Sequence, residues 1–203
     1  MSVCYIVGAG DCEKLDFTKN ESDLLIAADA GYMHIIKNGM QPDIVIGDFD
    51  SLGRIPDAEN VVRLNPVKDI TDMHAAAEEG IKRGFCEFVI YGATGGRFDH
   101  TFANIQLIAS LSQKGFAASI ADGDRIITAV TDSEIRFDSS KKGFISVFSH
   151  TDKSEGVFEK GLKYTLENAA ISNSFAIGVS NEFIGEESVI SVKKGTLIII
   201  YNK

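Results

Sequence analysis

What this sequence lacks narrows it first. No apolar run approaches the ~18 residues needed to cross a bilayer, so neither a spanning segment nor a membrane partner is expected. Basic residues are in deficit, 20 Lys and Arg against 29 Asp and Glu, for a net charge of −9. Phosphate backbones are held by clustered Lys and Arg, so nucleic acid is not expected as a partner. A nucleotide stays compatible, because a single metal ion reverses the local field. Cysteines are few, and Cys4, Cys12 and Cys86 are odd in number and spaced for neither a zinc site nor a redox pair. Reduced thiols are expected. The chain opens directly into the apolar run Val3–Val7 without a basic leader, so a cytoplasmic location is expected. Walker A and Gly-x-Gly-x-x-Gly patterns are both absent, which removes those two routes to a phosphate. Internal repeats are missing too, which excludes a solenoid.

What is present is globular. Hydrophobic residues make up 44% and charged residues 24% of 203 positions, enough for one large domain or two small ones. Up to about Asp122, short apolar runs alternate with helix-like stretches. The expected strands are Cys4–Val7, Leu24–Ala27, Ile44–Ile46, Val61–Leu64, Phe88–Tyr91 and Ala117–Ala121, short and apolar as in a parallel sheet buried on both faces. One helix is expected from Thr71, a good N-cap, to about Arg83, with Gly84 as its stop. Another is expected from about Asp99 to Lys114, with Phe102, Ile105, Ile108 and Leu111 as its apolar stripe. Beyond Asp122 the helical signal fades. Runs at Ile126–Val130, Glu134–Phe137, Phe144–Ser149, Val157–Glu159, Val189–Val192 and Thr196–Tyr201 read as consecutive strands. The expected fold is α/β, with a doubly wound parallel-sheet domain over residues 1–122 and a smaller all-β, sandwich-like domain over residues 123–203.

The chemistry sits at strand ends. Asp48 and Asp50 follow the run Ile44–Ile46, separated from it by Gly47. Ligands of open α/β sheets bind at that carboxyl edge, and carboxylates two residues apart suit a hard cation such as magnesium. Asp29 follows a second strand. Asp69, Thr71 and Asp72 follow a third, at a helix start. Gly95, Gly96, Arg97 and Asp99 follow a fourth and open another helix. Singly, these acids read as caps or solvated turns. Their gathering on one rim points to a site. Backbone N–H groups at a helix N-terminus favour an anion, and Arg97 suits a bidentate phosphate clamp. Acids beside a phosphate cradle imply metal-assisted phosphoryl or pyrophosphoryl transfer. The residues alone leave open the acceptor alcohol, and also a nucleotide-binding regulatory module without turnover.

The ordered motifs Ala-Asp-Ala-Gly (28–31), Gly-Asp-Phe-Asp-Ser (47–51), Lys-Asp-Ile-Thr-Asp (68–72) and Gly-Gly-Arg-Phe-Asp-His (95–100) resemble those of the thiamin pyrophosphokinase family. The segments Gly161–Leu166 and Gly178–Phe183 strengthen the resemblance, which spans nearly the whole chain. It implies transfer of pyrophosphate from ATP to the thiamin hydroxyl, giving thiamin diphosphate and AMP, with Mg2+ required. By the resemblance Asp48, Asp50 and Asp72 hold the metal, and Asp29 and Asp99 complete the acidic rim. Ser51, Thr71, Gly95, Gly96 and Arg97 position phosphates, and Ser180 and Asn181 meet thiamin. A homodimer with a shared active site is likewise implied. This sequence departs from the family pattern at Ala30, where a second glycine is common, at His74, often acidic, and at Thr165, usually proline. It also has no tryptophan for the thiamin rings, so any aromatic contact falls to Phe or Tyr.

Overall fold

A computed structural model describes residues 2–50, 53, 56–65, 67 and 69–203. The chain divides into two compact units, Met1–Leu107 with Ile120–Gly123, and Ile108–Ser119 with Asp124–Lys203.

The first unit is α/β. Its strands are β1 (Cys4–Val7), β2 (Leu24–Ala28), β3 (Ile44–Gly47), β4 (Val61–Arg63), β5 (Glu87–Tyr91) and β6 (Ala117–Asp122), the last shared with the second unit. They neighbour in the order β6-β5-β1-β2-β3-β4. The pairs β1–β2, β1–β5, β2–β3 and β3–β4 are parallel. All residues of β2 and β3 are buried, as an apolar strand covered on both faces requires. Strand β4 departs from that expectation. It ends the sheet, and Val62 and Arg63 are exposed.

Among the described residues three helices accompany these strands: α1 (Gly31–Lys37), α2 (Asp72–Lys82) and α3 (Phe98–Gln113). Helix α2 starts as expected, with the Thr71 hydroxyl accepting the His74 N–H at 3.2 Å. It buries Met73, Ala76, Ala77 and Gly80 over β1, β2 and β3. Helix α1, 7 residues long and without a side-chain cap, carries too little periodicity to be anticipated. In α3 the buried stripe is Asn104, Leu107, Ile108 and Leu111, while Phe102 is exposed. The difference arises at Asn104, whose amide donates to the Ala93 carbonyl at 2.8 Å. A polar residue satisfied in this way occupies a core position that hydrophobic periodicity cannot register.

Sheet order positions the site. Strand β1 lies between β2 and β5, so the chain leaves it on one side and later returns on the other. Their carboxyl ends form the switch point where ligands bind. The β1–β2 connection is a loop rather than a helix, held by rings: Phe17 stacks on Tyr5 at 3.8 Å and meets Tyr91 at 5.3 Å. The Tyr91 hydroxyl donates to Asp16 at 2.9 Å.

The second unit is all-β. Its strands are β7 (Arg125–Thr131), β8 (Glu134–Phe137), β9 (Phe144–Ser149), β10 (Lys153–Lys160), β11 (Leu166–Ser172), β12 (Gly178–Glu182), β13 (Ser188–Ser191) and β14 (Thr196–Asn202). They pair antiparallel in the orders β12-β9-β14-β7 and β11-β10-β13-β8. One core cluster draws on both, with Ile145, Val147, Leu197 and Ile199 packed with Val157, Ile190 and Phe137. That is a sandwich. Strands β11 and β12 were not expected from the sequence. Each ends its sheet, and a half-exposed edge strand needs little of the apolar alternation that signals a central one.

Among the described residues no helix is long and apolar enough to cross a membrane. All three cysteines are free thiols, and burial pushes Cys4 up to about 12.

Candidate active site

A cavity of about 390 Å³ opens at the switch point of the first unit. Its walls are the turns after β1 (Gly8–Asp11), β2 (Ala28, Asp29) and β5 (Gly92–Arg97), with Thr71–Met73 at the start of α2 and His100 and Asn104 on α3. The turns after β1 and β5 run side by side. Gly8 N–H donates to Tyr91 O at 2.8 Å, Gly10 N–H to Gly92 O at 2.8 Å, and Asp11 N–H to Thr94 O at 2.7 Å. Gly92 has φ +58°, and a Cβ there would fall 2.4 Å from the Gly8 carbonyl oxygen, so only glycine lets these backbones meet. The Gly10 carbonyl is held from outside by His34 Nε2 at 3.0 Å.

Asp29 is a buried acid of the wall. Its φ is +48°, its N–H is bonded to Ile46 O at 2.8 Å, and the residue is 8% exposed. Its Oδ1 is buried without a hydrogen-bond partner. A carboxylate oxygen in that state is costly unless a ligand completes it. Because Asp29 carries the left-handed conformation, Ala30 at φ −66° needs no glycine, and that departure from the family pattern is absorbed.

Of the expected site residues, the structure brings Asp29, Thr71, Asp72, Gly95, Gly96 and Arg97 to one cavity. Asp48 and Asp50 do not line it. They share the turn after β3, where Asp48 Oδ1 accepts the Asp50 N–H at 3.1 Å. That turn adjoins the cavity wall, since a Cβ on Gly47 would lie 3.1 Å from the Asp29 Cα. Asp99 also lies outside the lining. It accepts from Arg97 Nε at 3.2 Å and from the guanidinium's terminal nitrogen at 2.5 Å. That hydrogen bond holds the Asp99 carboxyl below the usual range. Ser51 falls outside the described residues. Among the described residues no three His, Cys, Asp or Glu side chains converge closely enough to hold a metal ion by themselves.

Sequence reasoning missed Asp11, His100 and Asn104 as wall residues. Asp11 was within reach: Val7-Gly8-Ala9-Gly10-Asp11 is a strand followed by glycines and a carboxylate, the same signal read after the other strands. The cavity thus presents Asp11, Asp29 and Asp72 against Arg97. A polyphosphate enters such a wall only with cationic company.

The second unit places its expected residues differently. Ser180 is exposed, with φ +59° and its N–H on Ser146 Oγ at 3.0 Å. Asn181 is 4% exposed, and its amide is spent internally. Nδ2 donates to Tyr164 O at 2.7 Å and to Glu159 Oε2 at 2.9 Å, while Oδ1 accepts the Tyr164 and Glu182 N–H groups at 2.9 Å each. What reaches solvent is Tyr164, 62% exposed.

Residues 16–120 match the thiamin pyrophosphokinase catalytic domain, and residues 132–197 match the thiamin pyrophosphokinase vitamin B1 binding domain. The chain belongs to the thiamin pyrophosphokinase family. It is 29% identical over 188 residues to the thiamine pyrophosphokinase of Bacillus subtilis (strain 168), covering 89% of this chain and 88% of that one. The crystal structure of thiamine pyrophosphokinase from Bacillus subtilis superposes with a TM-score of 0.87 at 26% identity over 99% of each chain. That of thiamin pyrophosphokinase from Geobacillus thermodenitrificans gives 0.84 at 27% identity, over 99% of this chain and 97% of that one. The catalytic-domain match contains the wall from Asp29 to Asn104, whereas Gly8–Asp11 precede it. Tyr164, Ser180 and Asn181 fall within the vitamin B1 binding match of the thiamin pyrophosphokinase pattern.

Burial pushes the Glu159 carboxyl above the usual range, against a hydrogen bond from Asn181. The folded chain therefore keeps this proton to higher pH than the unfolded chain, where the value is about 4.3. The associated stability is complete below that pH and is lost as pH rises through the folded value. Glu159→Gln is expected to remove the slope. Urea midpoints of parent and variant should converge near the unfolded value and separate, in the variant's favour, as pH rises.

Proposed function

We propose that the chain transfers the pyrophosphoryl group of ATP to the hydroxyl of thiamin, releasing AMP. The observation that carries this reading is a cavity lined by the carboxylate residues Asp11, Asp29 and Asp72 together with Gly95, Gly96 and Arg97, in a chain that matches the family over both units. Backbone N–H groups at the start of α3 bind phosphate oxygens, and Arg97 exchanges Asp99 for them in a bidentate clamp. Magnesium usually takes one or two protein carboxylates and completes its shell with water and substrate phosphates, and Asp29 and Asp72 in the wall, or Asp48 and Asp50 on the adjoining turn, would supply them. Bound there, magnesium would neutralise charge on the triphosphate. The thiamin hydroxyl attacks the β-phosphorus, the bond from the β-phosphorus to the oxygen bridging it to the α-phosphorus breaks, and AMP leaves. A rim carboxylate takes the hydroxyl proton. Holding acceptor and phosphorus in line supplies much of the rate.

The reading is tested with purified protein, ATP, magnesium and thiamin, each omitted in turn. AMP and thiamin diphosphate in equal amounts only from the full mixture support it. ADP in place of AMP would make the reaction phosphoryl transfer and overturn it.

For thiamin we assign Ser180 and the ring of Tyr164, an exposed aromatic on a pinned backbone. Flat cationic rings suit such a face. Tyr164→Ala is expected to raise the KM for thiamin by about tenfold, the size of a cation–π contact of ~1–1.5 kcal/mol, with the KM for ATP unchanged. We also propose a homodimer with a shared active site, in the cytoplasm. Supporting the dimer, Phe144, Phe175, Ile177, Val179 and Ile184 stand exposed in the second unit, and Phe98 and Phe102 on α3, large apolar side chains of the kind that subunit interfaces bury. Light scattering at micromolar concentration tests this. A monomer mass would refute it.

A further inference from the structure

Glu159 is a buried acid that the reaction does not use. It is 2% exposed, on β10, beside the apolar Val157 and Ile190 of the sandwich core. Its Oε1 has no hydrogen-bond partner. Only one of its oxygens is engaged: Oε2 accepts from Asn181 Nδ2, and removing Glu159 alone would leave that buried donor without an acceptor, so the carboxyl is tied to Asn181 rather than to the apolar core around it.

Its geometry gives it another task. Glu159 belongs to one sheet and Asn181 to the other, and the bond from Asn181 Nδ2 to Glu159 Oε2 at 2.9 Å crosses the sandwich. With one Nδ2 hydrogen taken by Glu159, the other points to Tyr164 O at 2.7 Å and Oδ1 is turned to the Tyr164 N–H at 2.9 Å. An amide is symmetric in shape, and only its partners fix which end is oxygen. Both backbone polar groups of Tyr164 are thus held by one side chain, whose oxygen end is also fixed by the Glu182 N–H at 2.9 Å and whose nitrogen end is anchored across the sandwich by Glu159. The flanking contacts secure neighbours instead: Lys163 N–H donates to Glu182 O at 3.0 Å, and Leu162 bridges Phe183.

We propose that Glu159 is a positioning residue for thiamin, anchoring Asn181 across the sandwich so that it pins the Tyr164 loop. The inference rests on the reading of that loop as the thiamin face. Its test uses Glu159→Leu, which removes the acceptor, Glu159→Asp, which withdraws it by one methylene, and Glu159→Gln, which keeps an acceptor oxygen. In the full-length protein, hydrogen exchange at the Tyr164 amide is expected to quicken at least tenfold in the Leu and Asp variants, with β14 amides unchanged, and to stay near the parental rate in the Gln variant. Steady-state kinetics should show the KM for thiamin raised about five- to tenfold in Leu and Asp and restored in Gln, with the KM for ATP within twofold throughout. If Leu does not fold, the contrast of Asp with Gln carries the test. Parental exchange at Tyr164 in the Asp variant would overturn the proposal. Faster exchange with an unchanged KM for thiamin would overturn the role in thiamin binding while leaving the pinning intact. If the parent makes no thiamin diphosphate, the proposed reaction fails independently of the exchange result.

Discussion

Asp29→Asn is expected to lower the rate of AMP and thiamin diphosphate formation by on the order of 10²–10³-fold, the size of losing one preorganised electrostatic group, with the fold intact. The substitution is close to isosteric. Asparagine also tolerates the left-handed region better than most residues, so the φ of +48° at this position survives. What goes is the charge on a carboxylate whose Oδ1 is buried and unpartnered in the cavity wall. The substitution breaks no hydrogen bond at that oxygen, so the melting temperature should hold or rise while activity falls. That opposition is the diagnostic feature. Activity within threefold of the parent would remove Asp29 from the site. A parallel loss of melting temperature and activity would make it a framework residue. Thermal melts and the AMP assay on the same preparation separate these outcomes.

Gly31→Ala should be the most disruptive single methyl in the first unit. An added Cβ would lie 1.9 Å from the Val7 carbonyl oxygen, 2.5 Å from its carbon and 3.0 Å from the Gly8 carbonyl carbon. All are backbone atoms, so no side chain can rotate away. Either α1 lifts off β1, or the end of β1 shifts. Overpacking of this kind costs about 3 kcal/mol, which for a chain of this size lowers the melting temperature by about 6–12 °C. Gly8 also opens the cavity wall, so the variant should lose activity along with stability, unlike Asp29→Asn. A melting temperature within about 1 °C of the parent would show that the contact yields freely.

The legible parts of the fold share a cause. Strands β2 and β3 could be read because burial on both faces leaves only apolar residues, and α2 because Thr71, a 3.6-residue period and Gly84 mark its two ends. Helix α1 and strands β11 and β12 were not legible: one is a short helix with no side-chain cap, and the others are sheet edges with mixed polarity. The same distinction runs through the site. Asp29, Asp72 and the Gly95–Arg97 cradle announced themselves as acids and glycines just beyond apolar runs. Asn104 did not, because it is a polar side chain buried by a hydrogen bond to a distant carbonyl, and Asn181, named through the motif order, gave no sign that its amide is spent inside the sandwich.

Composition, periodicity and the order of motifs were sufficient for the α/β and all-β halves, the carboxyl-edge location of Asp29 and Asp72, and the family. All of these depend on local preference and on short-range burial patterns, which adjacent residues encode. Which strand ends become neighbours is another matter. Gly10 and Gly92 meet because β1 is flanked by both β2 and β5, and this pairing also separates Asp48 and Asp50 from the cavity wall while admitting Asp11. Likewise, Glu159 reaches Asn181 only because two sheets face each other. Contacts of this range gain their energy from groups far apart in the chain, so they exist only once the whole sheet and sandwich have closed.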